Sequence, residues 1–153
     1  MDKTAQAVKI FSEVAQVYDE KFSDVSKYKL GLDLFCSLLP MDHPKVLELA
    51  CGPGNLSKYL LTHVPGLELL GTDLSETMLA FARAHNPEAR FELRDARDLS
   101  GIDQQFNGIL CGFGLPYFTK EEAEKFIHEA YSVLPPGGAV YVSTMEDDYE
   151  KSG

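Results

Sequence analysis

Short apolar segments alternate with helical patterns from residue 45 onward, and this alternation restricts the fold more than any other feature. Segments 45–50, 67–72, 90–94, 106–111 and 139–145 have the length and composition of strands. Several are continuous apolar runs, which is typical of strands that helices cover on both faces. Strands separated by helices are joined by right-handed crossovers. The sequence therefore predicts an α/β fold with a doubly wound, mostly parallel sheet.

Two helical patterns precede the first strand. Residues 8–22 place apolar side chains at spacings of three and four, which is the pattern of one helical face, and a second stretch covers 25–39. We expect residues 1–40 to form a two-helix N-terminal extension. Residues 41–153 are expected to form the sheet domain within one compact unit.

Local signals predict where later helices begin. Asn55 and Ser75 are plausible N-caps, since their side chains accept hydrogen bonds from the free N–H groups of a first helical turn. Thr119 and Glu122 fit a capping box for a helix that extends to Leu134. These signals predict helices after the first, second and fourth strands.

Composition and charge exclude several classes of protein. The chain has 153 residues, the size of one domain, and carries 14 basic against 24 acidic side chains, a formal net charge of −10. This balance disfavours a nucleic-acid partner, which attracts basic surfaces. No apolar run approaches the roughly 20 residues of a membrane span, and the polar N-terminus does not resemble a signal peptide.

Cysteine and histidine usage argues against structural metal and disulfides. Cys36, Cys51 and Cys111 are odd in number, widely spaced and form no C-x-x-C pair, so neither a disulfide framework nor a zinc ribbon is expected. This usage favours a reducing cytoplasm. No H-x-H or H-E-x-x-H pattern occurs, and we expect no metal site.

The segment 48–55, Glu-Leu-Ala-Cys-Gly-Pro-Gly-Asn, joins the first strand to a helix. Small residues allow a sharp turn on which a ligand can lie, although such a turn can also be purely structural. Ser57 replaces the third glycine of a dinucleotide fingerprint, and no Gly-Lys-Ser/Thr phosphate loop is present. The segment therefore favours a nucleotide-like ligand without a pyrophosphate.

Acidic residues lie at the ends of the first three strands. Glu48 precedes the glycines, Asp73 ends the second strand 21 residues after Gly52, and Asp95 follows the third. An acidic residue at that distance reaches a ribose diol, although Asp73 could also be a helix N-terminal charge. Three carboxylates at one edge suit a ligand with a ribose, an amine and positive charge.

Four ordered segments resemble the successive motifs of class I S-adenosylmethionine-dependent methyltransferases. They are 48–55, 71–79 (Gly-Thr-Asp-Leu-Ser-Glu-Thr-Met-Leu), 94–99 (Arg-Asp-Ala-Arg-Asp-Leu) and 134–138 (Leu-Pro-Pro-Gly-Gly). Segment 11–19 also resembles the helix that precedes this domain in many small-molecule members. The resemblance spans about residues 8–145 and implies a Rossmann-like fold, S-adenosylmethionine as cofactor and a small-molecule acceptor.

The resemblance also implies roles for individual positions. Glu48 would lie near the cofactor's ammonium group, Asp73 would hold the ribose and Asp95 would accept from the adenine amine. Met78, one turn into its helix, is placed beside the adenine by its position at the crevice. The remaining implied cofactor contacts are Tyr18 in a lid, Ala50, Gly52, Gly54 and Asn55 in the turn, Leu74 and Ala96 at the adenine, and Cys111 and Phe113 near the methyl group.

The acceptor side is less defined. Tyr28, Phe113 and Tyr117 are candidates for a substrate pocket, and no residue is identified as a general base. Segment 114–117 lacks the Asp/Asn-Pro-Pro-Tyr/Phe pattern of base methylases, which further argues against a nucleic-acid substrate. Two alternatives remain: a non-catalytic module that binds the cofactor, and an NAD-dependent oxidoreductase.

Family domains usually continue past the fifth strand with a helix and an antiparallel strand pair. We expect this chain to lack that pair, as a truncated or minimal five-stranded domain. The last strand, near 139–145, would then be an exposed edge through which a homodimer could form.

Overall fold

The computed structural model describes residues 5, 6, 9, 28–102, 105–112 and 118–143. The helices are α1 (Lys29–Ser37), α2 (Asn55–His63), α3 (Glu76–His85) and α4 (Lys120–Val133). The strands are β1 (Lys45–Leu49), β2 (Glu68–Asp73), β3 (Arg90–Leu93), β4 (Gly108–Gly112) and β5 (Ala139–Ser143). Apart from residue 9, the predicted helix over 8–22 lies outside the described residues, as do Tyr18, Phe113 and Tyr117.

The strands form one sheet in the order β3-β2-β1-β4-β5, and every neighbouring pair is parallel. This confirms the doubly wound parallel sheet predicted from the alternating segments and the Rossmann-like fold that the resemblance implied. The chain moves outward from β1 through β2 to β3, then returns to β4 on the other side of β1. The order reverses between β1 and β4, and ligands of such sheets bind beyond the carboxyl ends of the strands at this point.

Alternate residues of the central strands β1 and β4 face two separate cores. Val46 of β1 and Leu110 of β4 contact the core that contains Phe35 of α1 and Leu60 of α2. Leu47, Leu49 and Ile109 face the opposite core, which contains Phe126 and Ala130 of α4. Helices therefore cover both faces, which explains the continuous apolar runs in β1 and β4.

Two of the three predicted N-caps are confirmed. Ser75 accepts a hydrogen bond from the N–H of Met78 at 3.2 Å, and Thr119 accepts one from Glu122 at 3.1 Å. The prediction for Asn55 is wrong, because Asn55 is the first residue of α2 and Gly54 is the N-cap, without a side-chain cap bond. Gly54 has a φ of 84°, a left-handed conformation that glycine adopts without steric cost.

Among the described residues, no helix has the length and apolar character needed to cross a membrane.

Candidate functional site

The candidate site lies at the carboxyl end of β1, where residues 50–54 turn into α2. Ala50, Gly52 and Gly54 have φ values of 52°, 56° and 84°, so every second residue of the turn is left-handed. For Ala50 this conformation costs roughly 1–2 kcal/mol, because its Cβ crowds the backbone. Such strain persists where the surrounding structure imposes it, and it concentrates at functional sites.

Asp73, the last residue of β2, is bonded to this turn. Its Oδ2 accepts a hydrogen bond from the N–H of Gly52 at 2.8 Å, and its Oδ1 accepts one from Ser75 at 2.9 Å. Burial raises the pKa of this carboxyl, while the N–H groups of Gly52, Ser75 and Leu74 oppose the rise. Asp73 thus joins the glycine turn to the start of α3, at the position where the 21-residue spacing predicted a ribose ligand.

Glu48 lies inside the sheet beneath the same turn. Its side chain is only 2% exposed, and its Oε2 accepts a hydrogen bond from the hydroxyl of Ser57 in α2. Burial raises the pKa of this carboxyl from 4.5 to about 8, the Ser57 hydrogen bond lowers it, and the charge of Asp73 raises it further. Glu48 and Asp73 are therefore adjacent and electrostatically coupled, as expected for residues at neighbouring strand ends.

Asp95, two residues past the end of β3, is held in an ion pair. Nε of Arg97 lies 3.0 and 3.1 Å from the two carboxylate oxygens, and Nη2 lies 2.6 Å from Oδ2. Nη1 of the same arginine is 3.6 Å from Oε2 of Glu122 in α4. A ligand amine at Asp95 would share the carboxylate with Arg97, which the sequence analysis did not anticipate.

The end of α3 supports the turn from outside, through residues that sequence reasoning missed. Asn86 is 1% exposed, and its Nδ2 lies 3.1 Å from the carbonyl oxygen of Gly54 and donates to it. Nδ1 of His85 lies 3.1 Å from the carbonyl oxygen of Pro53. Since both contacts join residues 32 positions apart, no local pattern in the sequence could reveal them.

The other predicted contact residues occupy different surroundings. Leu74 is half-buried beside Asp73, whereas Met78 is buried at 2% exposure in the first turn of α3. Ala96 and Cys111 are buried in the core beneath α4, so their side chains belong to that core. Tyr28, a candidate for the substrate pocket, packs against the core that contains α1 and α2.

The described residues place a strained turn and two coupled acidic side chains at the switch point of the sheet. Gly52 already donates its N–H to Asp73, so the turn and the carboxylate form one unit. A diol and a cationic amine, which donate hydrogen bonds, suit these acceptors better than a phosphate does, because the Asp73 carboxylate repels anions. In the part of the chain that the structure describes, no group of three His, Cys, Asp or Glu side chains could hold a metal ion.

Comparisons with known proteins agree with this geometry. The profile of a methyltransferase domain family matches residues 46–138, which include the turn, Asp73 and Asp95. The trans-aconitate 2-methyltransferase of Variovorax paradoxus is 36% identical over 107 residues, which are 70% of this chain and 40% of that protein. The demethylmenaquinone methyltransferase of Thermus thermophilus is 34% identical over 143 residues, or 87% of this chain and 63% of that protein.

A solved structure, a complex of DhpI with SAH, has a TM-score of 0.75 and 23% identity and covers 95% of this chain and 71% of that chain. At this level of identity the likeness concerns the fold. The chain spans less than two thirds of the length of either curated relative.

Proposed function

This chain belongs to the class I S-adenosylmethionine-dependent methyltransferases, and from that membership we propose that it transfers the methyl group of S-adenosylmethionine to a small molecule. The observation that carries the proposal is the bond from the N–H of Gly52 to Asp73. It holds an acidic side chain against a glycine turn at the switch point of the sheet. This is the arrangement on which a nucleoside with a cationic amino-acid chain fits.

Each part of the cofactor has a matching group among the residues of the site. Asp73 accepts hydrogen bonds from the ribose hydroxyls, and Glu48 provides negative charge near the ammonium group. Asp95, whose carboxylate is held by Arg97, accepts a hydrogen bond from the adenine amine, and Leu74 contacts the adenine ring. The turn from Ala50 to Asn55 supports the methionine chain. The predicted contacts of Tyr18, Met78, Ala96, Cys111 and Phe113 complete the proposed cofactor site.

The cofactor supplies an already activated methyl group, so the protein has to align the acceptor and exclude water. Well-oriented reactants gain roughly 7–11 kcal/mol from alignment alone. We assign no general base, and Tyr28, Phe113 and Tyr117 remain the proposed acceptor pocket. A small-molecule acceptor is supported by the formal charge of −10, which disfavours nucleic acid, and by the small-molecule substrates in the names of the two curated relatives.

Calorimetry tests the cofactor class. We expect S-adenosylhomocysteine to bind with a dissociation constant of micromolar order, about −8 kcal/mol, and NAD not to bind measurably. An NAD complex without S-adenosylhomocysteine binding would contradict the proposal and favour the oxidoreductase alternative. Cofactor binding without methylated product across a panel of carboxylate, quinol and amine acceptors would favour the non-catalytic module.

We also propose a cytoplasmic location, supported by three free cysteines, of which Cys51 and Cys111 are buried.

The β5 edge supports a homodimer. Among the described residues β5 is an edge strand of the sheet, its sequence Ala-Val-Tyr-Val-Ser has no charge or proline, and Val140 and Val142 are 47% and 38% exposed. Such an edge is a template for pairing with another strand, and two copies related by a two-fold axis pair antiparallel. Ile127 and Tyr131 of α4 are exposed on the same side of the sheet and would enlarge the interface.

Light scattering tests this dimer. We expect the wild-type chain to have a mass in solution of about 34 kDa, twice the 17.0 kDa of one chain. Val142→Lys should lower this mass to that of the monomer, because a lysine on an edge strand opposes pairing with another strand. Leu93→Lys on the opposite edge strand, β3, is the matched control, since Leu93 is 54% exposed and should leave the mass unchanged. A monomeric wild-type chain would exclude the dimer.

A further inference from the structure

Glu48 is a buried carboxyl group that has no positive partner among the described residues. Among the described residues, no lysine, arginine or histidine forms an ion pair with it, and the hydroxyl of Ser57 is the hydrogen-bond donor on its side chain. Removing a carboxylate from water without a counter-charge costs several kcal/mol. A carboxyl group in this position therefore favours its neutral form until a cation approaches.

Among the described elements, no positive charge acts on Glu48 itself. Asp73 on β2 is negative and raises the pKa of Glu48. Burial, followed by the charges of Glu48 and Asp73, raises the pKa of the Cys51 thiol in the turn, and the only described cation that opposes this rise is Arg83 of α3, which acts on Cys51. β4 presents Leu110 and β2 presents Gly71 as the register partners of Glu48. From α2, Ser57 contributes a neutral hydroxyl. Burial and the Asp73 charge thus act in the same direction, and only the Ser57 hydrogen bond opposes them.

The place of this carboxyl connects it to the ligand of the proposed function. It lies one residue before Leu49, the last residue of β1, and two residues before Ala50, where the left-handed turn begins. A cationic amine bound on that turn would approach Glu48 and its neighbour Asp73. The amine would supply a counter-charge that none of the described residues gives to Glu48.

We propose that Glu48 is protonated in the ligand-free protein and releases its proton to solvent when the cofactor's ammonium group binds, with Ser57 as the positioning residue. On release, the O–H bond of the carboxyl breaks, the electron pair stays on the carboxylate, and a buffer base takes the proton. Ser57 donates to Oε2, which leaves Oε1 to carry the proton in the neutral state. This inference rests on the proposed function and adds a proton coupling to it.

The sign of the pH dependence follows from the two states. The ligand-free protein holds the proton up to a pKa of about 8, whereas the bound protein does not hold it at neutral pH. Cofactor affinity should therefore rise with pH between about 6 and 7.5, by roughly tenfold per pH unit at most. At about pH 7 close to 0.9 proton should leave per molecule bound.

Calorimetric titration of the full chain in phosphate, HEPES and Tris near neutral pH counts these protons. Because the buffers differ in ionisation enthalpy, the slope of the observed heat gives the number released. S-adenosylhomocysteine should release close to one proton from the wild-type chain and close to none from Glu48→Gln. Methylthioadenosine, which lacks the amino-acid chain, should bind the wild-type chain without proton release, and this comparison requires no variant.

Ser57→Ala should weaken S-adenosylhomocysteine binding roughly tenfold and move the rise in affinity to higher pH, because the carboxylate loses its donor. Ser57→Thr keeps the hydroxyl and should restore the wild-type pH profile. Ser132→Ala is the matched control, because the Ser132 hydroxyl donates a hydrogen bond to the carbonyl oxygen of His128 at an exposed position of α4. Unchanged pH profiles in Ser57→Ala would exclude the positioning role.

The failure of this inference is distinguishable from failure of the proposed function. S-adenosylhomocysteine binding with equal heats in all three buffers would mean that Glu48 is already ionised, and would overturn the proton coupling alone. No binding of S-adenosylhomocysteine in any buffer would overturn the proposed function itself.

Discussion

The Asp73→Asn variant is expected to bind S-adenosylhomocysteine roughly 100-fold more weakly than the wild-type chain. Hydrogen bonds to a charged acceptor contribute about 1.5–3 kcal/mol each, and a factor of ten corresponds to about 1.4 kcal/mol. The variant loses the charge that the ribose hydroxyls would use. It also places an amide where Oδ1 and Oδ2 now accept hydrogen bonds from Ser75 and Gly52.

Calorimetry and thermal melting together separate loss of the site from loss of the fold. Asp98→Asn is the matched control, because Asp98 also accepts the N–H of the residue two positions ahead, Ser100, at 2.9 Å, but is exposed. It should bind S-adenosylhomocysteine as the wild-type chain does. A folded Asp73→Asn variant with wild-type affinity would contradict the assigned role of Asp73.

Gly54→Ala is expected to lower the melting temperature by roughly 5–15 °C and to abolish cofactor binding. An added Cβ would lie 2.7 Å from Nδ2 of Asn86 and 3.1 Å from Ala82, in a backbone conformation with a φ of 84°. The left-handed conformation costs roughly 1–2 kcal/mol for alanine, and the overpacking adds about 1–3 kcal/mol. For a chain of this size each kcal/mol shifts the melting temperature by about 2–4 °C.

Gly137→Ala isolates the packing contribution. Gly137 has a nearly identical φ of 83°, but a Cβ there would meet no atom within 4 Å. This variant should lose only about 1–2 kcal/mol and should keep cofactor binding. Equal decreases in the free energy of unfolding of the two variants would show that packing against Asn86 and α3 does not stabilise the turn.

Much of the fold could be predicted because its determinants are local or periodic. Ser75 and Thr119 each cap a helix through a hydrogen bond from the N–H of the residue three positions later. Ser75 was predicted from its residue type at a helix start, and Thr119 from its capping-box spacing to Glu122. Asn55 shows the limit of such reasoning, because Asn and Gly both suit an N-cap. The turn packs against Ala82 and Asn86, and there it needs the left-handed conformation of Gly54, so tertiary contacts decide which residue is the N-cap.

The candidate site could also be predicted only in part: its acidic residues were located from the sequence, and their partners were not. Glu48, Asp73 and Asp95 were located from their positions at strand ends, since parallel strands bring their carboxyl ends to one edge. Their protonation and partners were not predicted. Ser57 was noted only as a missing glycine, yet its hydroxyl is bonded to Glu48. Arg97, two residues from Asp95, occupies the carboxylate that was expected to meet the ligand.

The sequence by itself determined the alternation of strands and helices, the glycine turn, and an acidic residue at the end of each of the first three strands. These features depend on periodicity and on backbone freedom, which are properties of neighbouring residues. Only the tertiary structure decided that Glu48 is buried with no described cation beside it and that Asn86, at the end of α3, is hydrogen-bonded to the turn. Burial and long-range hydrogen bonds depend on which segments pack together, and they set the charge of the site.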